Sequence, residues 1–331
     1  MLDKDKQKVR DNTFDVMKGI GIFLMVTGHT LGPESPIHNY IYAFHMPLFF
    51  ILSGFFAKQT ESRKNINKQF NRLVKPFFFI CFNVVLIKCI HHLINPDVPS
   101  INWEFVLNGI GPGWFLLALF WGRIIFNTLL TFFPKRHLSL SLLISLIPLC
   151  LSQWTTIDIP FNFLQGLACV IFIAIGFYAK QNDILQRMSR KSKLCITFSF
   201  LFWLNTSIFG EIEMSAYHFK LWVIDYLGAI GGTFLCYYLS RFIVEHMPIT
   251  TKALTKVSIF SLAIYAFHSI DFCIPIWHKL LFFVNEDYMV SVVLLVRIAL
   301  FYPIILLTTR IPILYHLFVG KQQTILKQSS P

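Results

Sequence analysis

The sequence predicts an all-α membrane protein: a polytopic transmembrane helical bundle of about ten spans with both termini in the cytoplasm. Of its 331 residues, 55% are hydrophobic and only 14% are charged, and the mean hydropathy is +0.60. These values lie outside the usual balance of a soluble domain. Because a hydrocarbon core of about 30 Å needs about 20 mostly apolar residues per helix, apolar stretches of that length mark the spans. They fall at 14–32, 41–57, 73–94, 112–132, 138–154, 160–179, 194–210, 219–240, 256–274 and 288–308.

The positions of the basic residues predict the orientation. Of the 29 Lys and Arg residues, 23 lie in segments on one side of the predicted spans, and one, Lys279, lies on the other. By the positive-inside rule the basic side is cytoplasmic, which requires an even number of spans and places the tails 1–13 and 309–331 inside. The formal charge of +12 therefore indicates orientation in membrane lipid and no nucleic-acid partner. We expect residues 1–331 to form one membrane-embedded domain.

No metal or nucleotide motif is evident. The seven cysteines lie in or beside predicted spans and form no CxxC pair, which is typical of packing residues. His91 and His92 are adjacent, so on a helix they diverge by about 100° and are poorly placed to share one metal ion. The sequence has no P-loop, Rossmann fingerprint or GxSxG elbow. We expect no metal and no permanently bound cofactor.

Three ionisable side chains lie in the first predicted span. On insertion scales each costs roughly 2.5–3.5 kcal/mol, so each is a candidate functional residue. At about 100° per residue, Asp15, Lys18 and His29 share one arc of roughly 60°, which must face the bundle. The alternative is structural: Asp15 pairs with Lys18 at the inner interface, and His29 is hydrogen-bonded to a neighbouring helix.

Two motifs resemble one family of membrane enzymes. The spacing of Asp15, Lys18 and His29 is similar to the opening helix of the acyltransferase-3 family, in which Arg usually stands at the position of Lys18. Residues 44–55, FHMPLFFILSGF, resemble a segment of that family's fucose 4-O-acetylase-like branch. Weaker similarities follow at 72–76, 113–116 and 261–268.

This resemblance implies a membrane O-acyltransferase, usually one that moves acetyl from cytoplasmic acetyl-CoA to a hydroxyl of a sugar or cell-surface polysaccharide. It also implies a multi-pass protein of the bacterial inner membrane. Such a reaction needs a base at the hydroxyl, a donor for the oxyanion and a site that excludes water. The rival hypothesis is a proton-coupled transporter or flippase for an envelope precursor, because intramembrane His, Asp and Arg also suit a carrier.

His29 is the predicted catalytic base. It lies about 21 Å from the inner end of its helix at about 1.5 Å per residue, so a cytoplasmic donor must reach it through a long thin arm such as pantetheine. We expect Asp15 and Lys18 to organise the CoA entrance. Arg72 and Lys75, three residues apart at the inner surface, are candidates for holding the CoA phosphates. Ordinary positive-inside anchoring is an equal alternative for these two residues.

The outer half of the bundle holds further candidates. His45, close to Pro47, is a second catalytic candidate that would position the acceptor or donate to the oxyanion; packing is the alternative role. His268 and Asp271, three residues apart, are predicted to bind the substrate, with a structural hydrogen-bonded pair as the alternative. The remaining intramembrane charges are predicted to pair with one another and to take no catalytic role: Arg123, Asp225 and Arg297.

Overall fold

The computed structural model of the chain describes residues 11–95, 106, 109–154, 159–190, 192–274 and 277–320. Helices make up nearly all of this part of the chain. Its only strands form one short antiparallel pair, β1 (Ile212–Glu213) and β2 (His218–Phe219). The predicted all-α class is therefore confirmed.

The described helices follow one another along the chain with short connections. They are α1 (Thr13–Leu31), α2 (Pro36–Tyr42), α3 (His45–Phe55), α4 (Ser62–Gln69), α5 (Lys75–Ile94), α6 (Trp114–Phe132), α7 (His137–Trp154), α8 (Phe163–Gln181), α9 (Ile184–Arg190), α10 (Ser192–Phe209), α11 (Val223–His246), α12 (Pro248–Ile259), α13 (Ser261–Phe272), α14 (Trp277–Leu280), α15 (Glu286–Ala299), α16 (Phe301–Arg310) and α17 (Pro312–Phe318). A π-helical turn, Phe70–Val74, joins α4 to α5.

Several helical stretches are long and apolar enough to cross a membrane. The described chain contains five: Ser62–Ile94, Gly111–Phe132, Pro160–Gln181, Val223–His246 and Glu286–Arg310. The pair α12 and α13, bent by 68°, makes a sixth if it is one span. The chain is thus an all-helical membrane protein, while the number of ten spans and the cytoplasmic location of both termini stay predictions.

The predicted span at 41–57 is two helices instead of one. α2 ends at Tyr42 and α3 begins at His45, with Phe44 between them at φ −150°. Pro47 explains the break, because it has no N–H for the carbonyl of Ala43 and its ring would crowd that carbonyl in a continuous helix. The break places His45 in the first turn of α3, which packs against α1.

Two irregular turns occur inside otherwise long helical stretches. The π-helical turn Phe70–Val74 precedes Pro76, which cannot donate to the carbonyl of Arg72, so the wider turn accommodates the proline ring. α12 and α13 meet at Phe260, which leaves the helical conformation with ψ 13°. Irregular backbone in a membrane protein is tolerated where it lines a cavity, and both turns contribute residues to the same internal cavity.

Helix α1 lies at the centre of the bundle. It packs against α2, α3, α11, α12, α13 and α15. α3 is pressed from its other side by α8: a Cβ on Gly54 would lie 1.9 Å from the carbonyl oxygen of Ile173, and one on Gly176 would lie 1.9 Å from that of Ile51. Small residues of this kind let two membrane helices come into backbone contact. α3 is therefore fixed between α1 and α8.

Candidate active site

Two histidines from distant parts of the chain meet near the end of α1. His29 Nδ1 lies 3.1 Å from His268 Nε2 on α13, and the two rings are nearly parallel, at 14°. His268 is 5% exposed, whereas His29 is half-buried. Phe272 covers His29 from one side, with ring centroids 5.2 Å apart. His29 is thus flanked by His268 and Phe272 and stays partly exposed.

An acidic and a basic residue continue this line of contacts. Asp271 Oδ2 lies 3.9 Å from His268 Nδ1 and accepts a hydrogen bond from Arg297 Nε at 2.7 Å. Arg297 Nη1 donates to the hydroxyl of Thr30 at 3.0 Å, which returns the network to α1. Trp277 Nε1 donates to the other carboxylate oxygen of Asp271. Both oxygens of Asp271 are thus held in place.

One assignment of the imidazole protons makes His29 a general base. When His29 Nδ1–H donates to His268 Nε2, the proton of His268 lies on Nδ1 and faces Asp271. His29 Nε2 then carries a lone pair, as a general base requires. The order of groups is similar to that of a catalytic triad with a second imidazole inserted, since Asp271 lies 3.9 Å from His268 and His268 contacts His29.

His45 is enclosed between α1 and α2. It is 0% exposed, and its Nδ1 lies 3.1 Å from the carbonyl oxygen of Ile41. Because a carbonyl only accepts, Nδ1 must donate, and Nε2 of neutral His45 is an acceptor. Nε2 has no hydrogen-bond partner in the described part of the chain. Of the two predicted catalytic roles, this arrangement favours holding an acceptor hydroxyl over donating to an oxyanion.

A cavity of about 650 Å³ opens at the opposite end of α1. Its basic wall is formed by Lys18, Lys68, Arg72 and Arg123, and Asp15 also borders it. Deeper in, the lining is largely apolar and includes Ile22, Met25, Met46, Leu116, Leu119 and Tyr265. The cavity therefore combines a cationic entrance with an apolar interior.

The deepest lining residues of this cavity lie close in sequence to three histidines, His29, His45 and His268. Met25 precedes His29 by about one helical turn, Met46 follows His45 directly, and Tyr265 precedes His268 by three residues. Tyr265 donates a hydrogen bond to the carbonyl of Pro112, which holds α13 against the start of α6. The cavity lining thus comes within one to four residues of each of the three histidines, none of which is among the described lining residues.

Of the four residues predicted to bind the CoA donor, three line the cavity and one does not. Asp15, Lys18 and Arg72 line the cavity, and Asp15 accepts a hydrogen bond from Ser258 at 3.3 Å. Lys75 is exposed and is not among the lining residues. It lies one residue beyond the π-helical turn that contains Arg72, so the two side chains do not share the face expected of a regular helix.

The predicted mutual pairing of the remaining intramembrane charges is wrong. Arg297 pairs with Asp271, while Arg123 donates to the carbonyl of Ser53 at 2.8 Å. Asp225 accepts from the backbone N–H of Leu221 at 2.7 Å. Arg297 and Arg123 thus have partners in their own neighbourhoods, whereas Asp225 Oδ1 is buried with no hydrogen-bond partner among the described residues.

Two lining residues were not among the predicted site residues. Lys68 looked like one of many inner-surface cations, and Arg123 looked like a structural charge. Lys68 and Arg72 are four residues apart, a spacing that already indicated a shared face. A basic residue in mid-span was the signal for Arg123, which is 8% exposed.

The fold and site define a helical membrane bundle in which a His29–His268–Asp271 line lies close to a cavity with a cationic entrance. The chain belongs to the acyltransferase-3 family, whose acyltransferase domain matches residues 11–315. It is 31% identical to the nodulation protein NolL of Mesorhizobium japonicum over 37% of each chain. It is 33% identical to NolL of Sinorhizobium fredii over 33% of this chain and 34% of that one.

These alignments span about a third of the length of the curated relatives. No solved structure matches the chain. The family membership therefore rests on the domain match, which covers nearly the whole chain and confirms the predicted resemblance.

The largely buried Arg297–Asp271 pair should contribute measurably to stability. We expect Arg297→Met to lower the free energy of unfolding by about 3 kcal/mol or more, because Asp271 is left as an uncompensated charge. Adding Asp271→Asn should recover part of the loss. The measurement is the thermal unfolding midpoint of the purified protein in detergent.

The control for this prediction is Arg241→Met, which breaks an exposed pair with Glu245 and should cost at most about 1 kcal/mol. Equal losses for the two single variants, or no recovery in the double variant, would contradict a buried, coupled pair.

Proposed function

We propose that this acyltransferase is a membrane O-acetyltransferase that moves acetyl from cytoplasmic acetyl-CoA to a hydroxyl of a sugar or cell-surface polysaccharide. It would act in a bacterial inner membrane, with ten spans and both termini in the cytoplasm. The observation that carries the proposal is the His29–His268–Asp271 line, which lies close to the lining of a cavity with a cationic entrance. The family membership supports the reaction class.

The cavity suits coenzyme A in charge and shape. Four basic side chains and one acidic side chain border its entrance, where the phosphates of the donor would lie. Arg72 and Arg123 offer planar forks for bidentate contacts to phosphate oxygens, and Lys18 and Lys68 add point charges. The pantetheine arm would extend along the apolar interior past Met25, bringing the thioester toward His29.

The proposed reaction is a direct transfer. His29 Nε2 takes the proton of the acceptor hydroxyl while its oxygen bonds to the thioester carbonyl carbon, giving a tetrahedral oxyanion. Collapse of this intermediate re-forms the carbonyl and breaks the C–S bond. The imidazolium returns its proton to the CoA thiolate, so the products are the sugar acetate and free CoA.

His268 and Asp271 would act through His29. His268 Nε2 accepts from His29 Nδ1 and fixes the tautomer, and the negative charge of Asp271 stabilises positive charge that develops on the imidazoles. Arg297 balances that carboxylate in the resting enzyme. The predicted substrate-binding role of His268 and Asp271 thus becomes a positioning role in this proposal. His45 Nε2 would hold the acceptor hydroxyl as a hydrogen-bond acceptor.

Replacing His29 tests the base directly. In membranes supplied with acetyl-labelled CoA, His29→Ala should reduce alkali-labile label in envelope glycan by at least about 100-fold, the contribution of a general base. His246→Ala, at an exposed histidine, is the matched control and should retain transfer. Both variants are compared at equal expression.

Label that persists in His29→Ala would contradict the assigned base. If the intact chain transfers neither acetyl nor succinyl from CoA, the transporter hypothesis would replace the acetyltransferase hypothesis.

Replacing Arg123 tests the donor cavity. Arg123→Gln should raise the KM for acetyl-CoA at least about tenfold, the effect of one lost charge-assisted hydrogen bond, and change kcat little. Lys64→Gln is the control because Lys64 is exposed and paired with Glu61 outside the cavity. Steady-state kinetics at fixed acceptor measure both constants. Equal KM values for Arg123→Gln and the intact chain would count against donor binding in this cavity.

A further inference from the structure

A second, smaller cavity lies beyond the His29 end of α1. It measures about 270 Å³ and is formed by α2, the end of α10 and strand β1. Its polar lining comprises His38, Asn39, Tyr42, Thr206, Glu211 and Glu213. This volume is at the lower end of the range of small-molecule sites, which suits one sugar ring.

The cavity adjoins the catalytic histidines through one aromatic residue. Tyr42 lines it and lies 6.3 Å from His29 and 4.7 Å from His45, measured between ring centroids. His38 stacks on the same tyrosine, at 3.6 Å. A ligand seated in the cavity would therefore lie against the residue that separates it from His29.

Glu213 is held rigidly at the cavity wall. Its neighbours Ile212 and Met214 are buried at 4% and 3% exposure, whereas Glu213 is half-buried and lines the cavity. Its Oε1 accepts from the backbone N–H of Ser215 at 3.2 Å and from the Ser215 hydroxyl. Oε2 makes no hydrogen bond to residues that the structure describes, which leaves it to accept from a ligand.

The acidic lining of the cavity would favour uncharged sugars over acidic ones. Glu211 and Glu213 are both acidic, and no Lys or Arg is among the described lining residues. Carboxylates accept strong hydrogen bonds from sugar hydroxyls and repel other carboxylates or phosphates. These two cavities are thus opposite in charge, cationic at one end of α1 and anionic beyond the other.

We propose that this second cavity is the acceptor site and that it binds a single uncharged sugar unit while excluding acidic sugars. The inference rests on the proposed acetyl transfer for its place beside His29. Glu213 would accept hydrogen bonds from ring hydroxyls, and Tyr42 would pack against the ring next to the hydroxyl that reacts.

Sugar binding is tested apart from catalysis. Saturation-transfer NMR on the purified full chain in nanodiscs would use methyl β-galactoside and the methyl glycoside of galacturonic acid, which differ only in the carboxylate. We expect the uronate to bind at least about tenfold more weakly than the galactoside. Glu213→Gln should weaken galactoside binding by at least about tenfold.

Glu286→Gln, an exposed carboxylate outside the cavity, is the matched control and should bind like the intact chain. The double variant Glu211→Gln/Glu213→Gln should bind the two sugars with similar affinity, because the repulsion is removed. Size-exclusion profiles establish that each variant is folded.

Three results would overturn the acceptor site: equal binding of the two sugars by the intact chain, no binding of either, or double-variant binding unchanged from the intact chain. The proposed function is judged separately by acetyl transfer in the same preparations. Transfer without carboxylate-dependent binding refutes the cavity alone. Carboxylate-dependent binding without transfer refutes the acetyltransferase and leaves a sugar site.

Discussion

The hydrogen bond between His29 and His268 is the contact on which the site depends. It joins α1 to α13, and the path continues through Asp271 and Arg297 back to Thr30, the next residue of α1. This closed circuit fixes the ring of His29 in one orientation. It also places a balanced ion pair where an isolated charge in a membrane would be costly. The proposed transfer would need this fixed orientation, because productive reaction requires both substrates to be aligned with the base.

The orientation of His29 matters because one cavity lies toward each end of α1. The larger one presents a basic entrance and an apolar interior, which suit an anionic donor with a long arm. The smaller one is acidic and polar, which suits an uncharged hydroxylated ring. In the proposed reaction the thioester and the hydroxyl would meet at His29, and exclusion of water from the site would restrict competing hydrolysis.

The sequence predicts the features that depend on composition or on residues close together in the chain. The helical class, the shared face of Asp15, Lys18 and His29, and the family resemblance all depend on composition or short spacing. His29 and His268 are 239 positions apart in the chain, so no periodic pattern in the sequence predicts their contact. Arg297 was assigned to the wrong partners for the same reason. The π-helical turn before Pro76 rotates Lys75 away from Arg72, a local effect that spacing on a regular helix does not include.

A cryo-electron microscopy structure of the full chain in nanodiscs with bound CoA would show where the donor lies. We expect phosphates beside Lys18, Lys68, Arg72 and Arg123, with the pantetheine arm running past Met25 and the sulfur directed toward His29 Nε2. CoA bound in the acidic cavity, or on the surface with its thiol far from His29, would contradict donor entry from the basic end and with it the assigned role of His29.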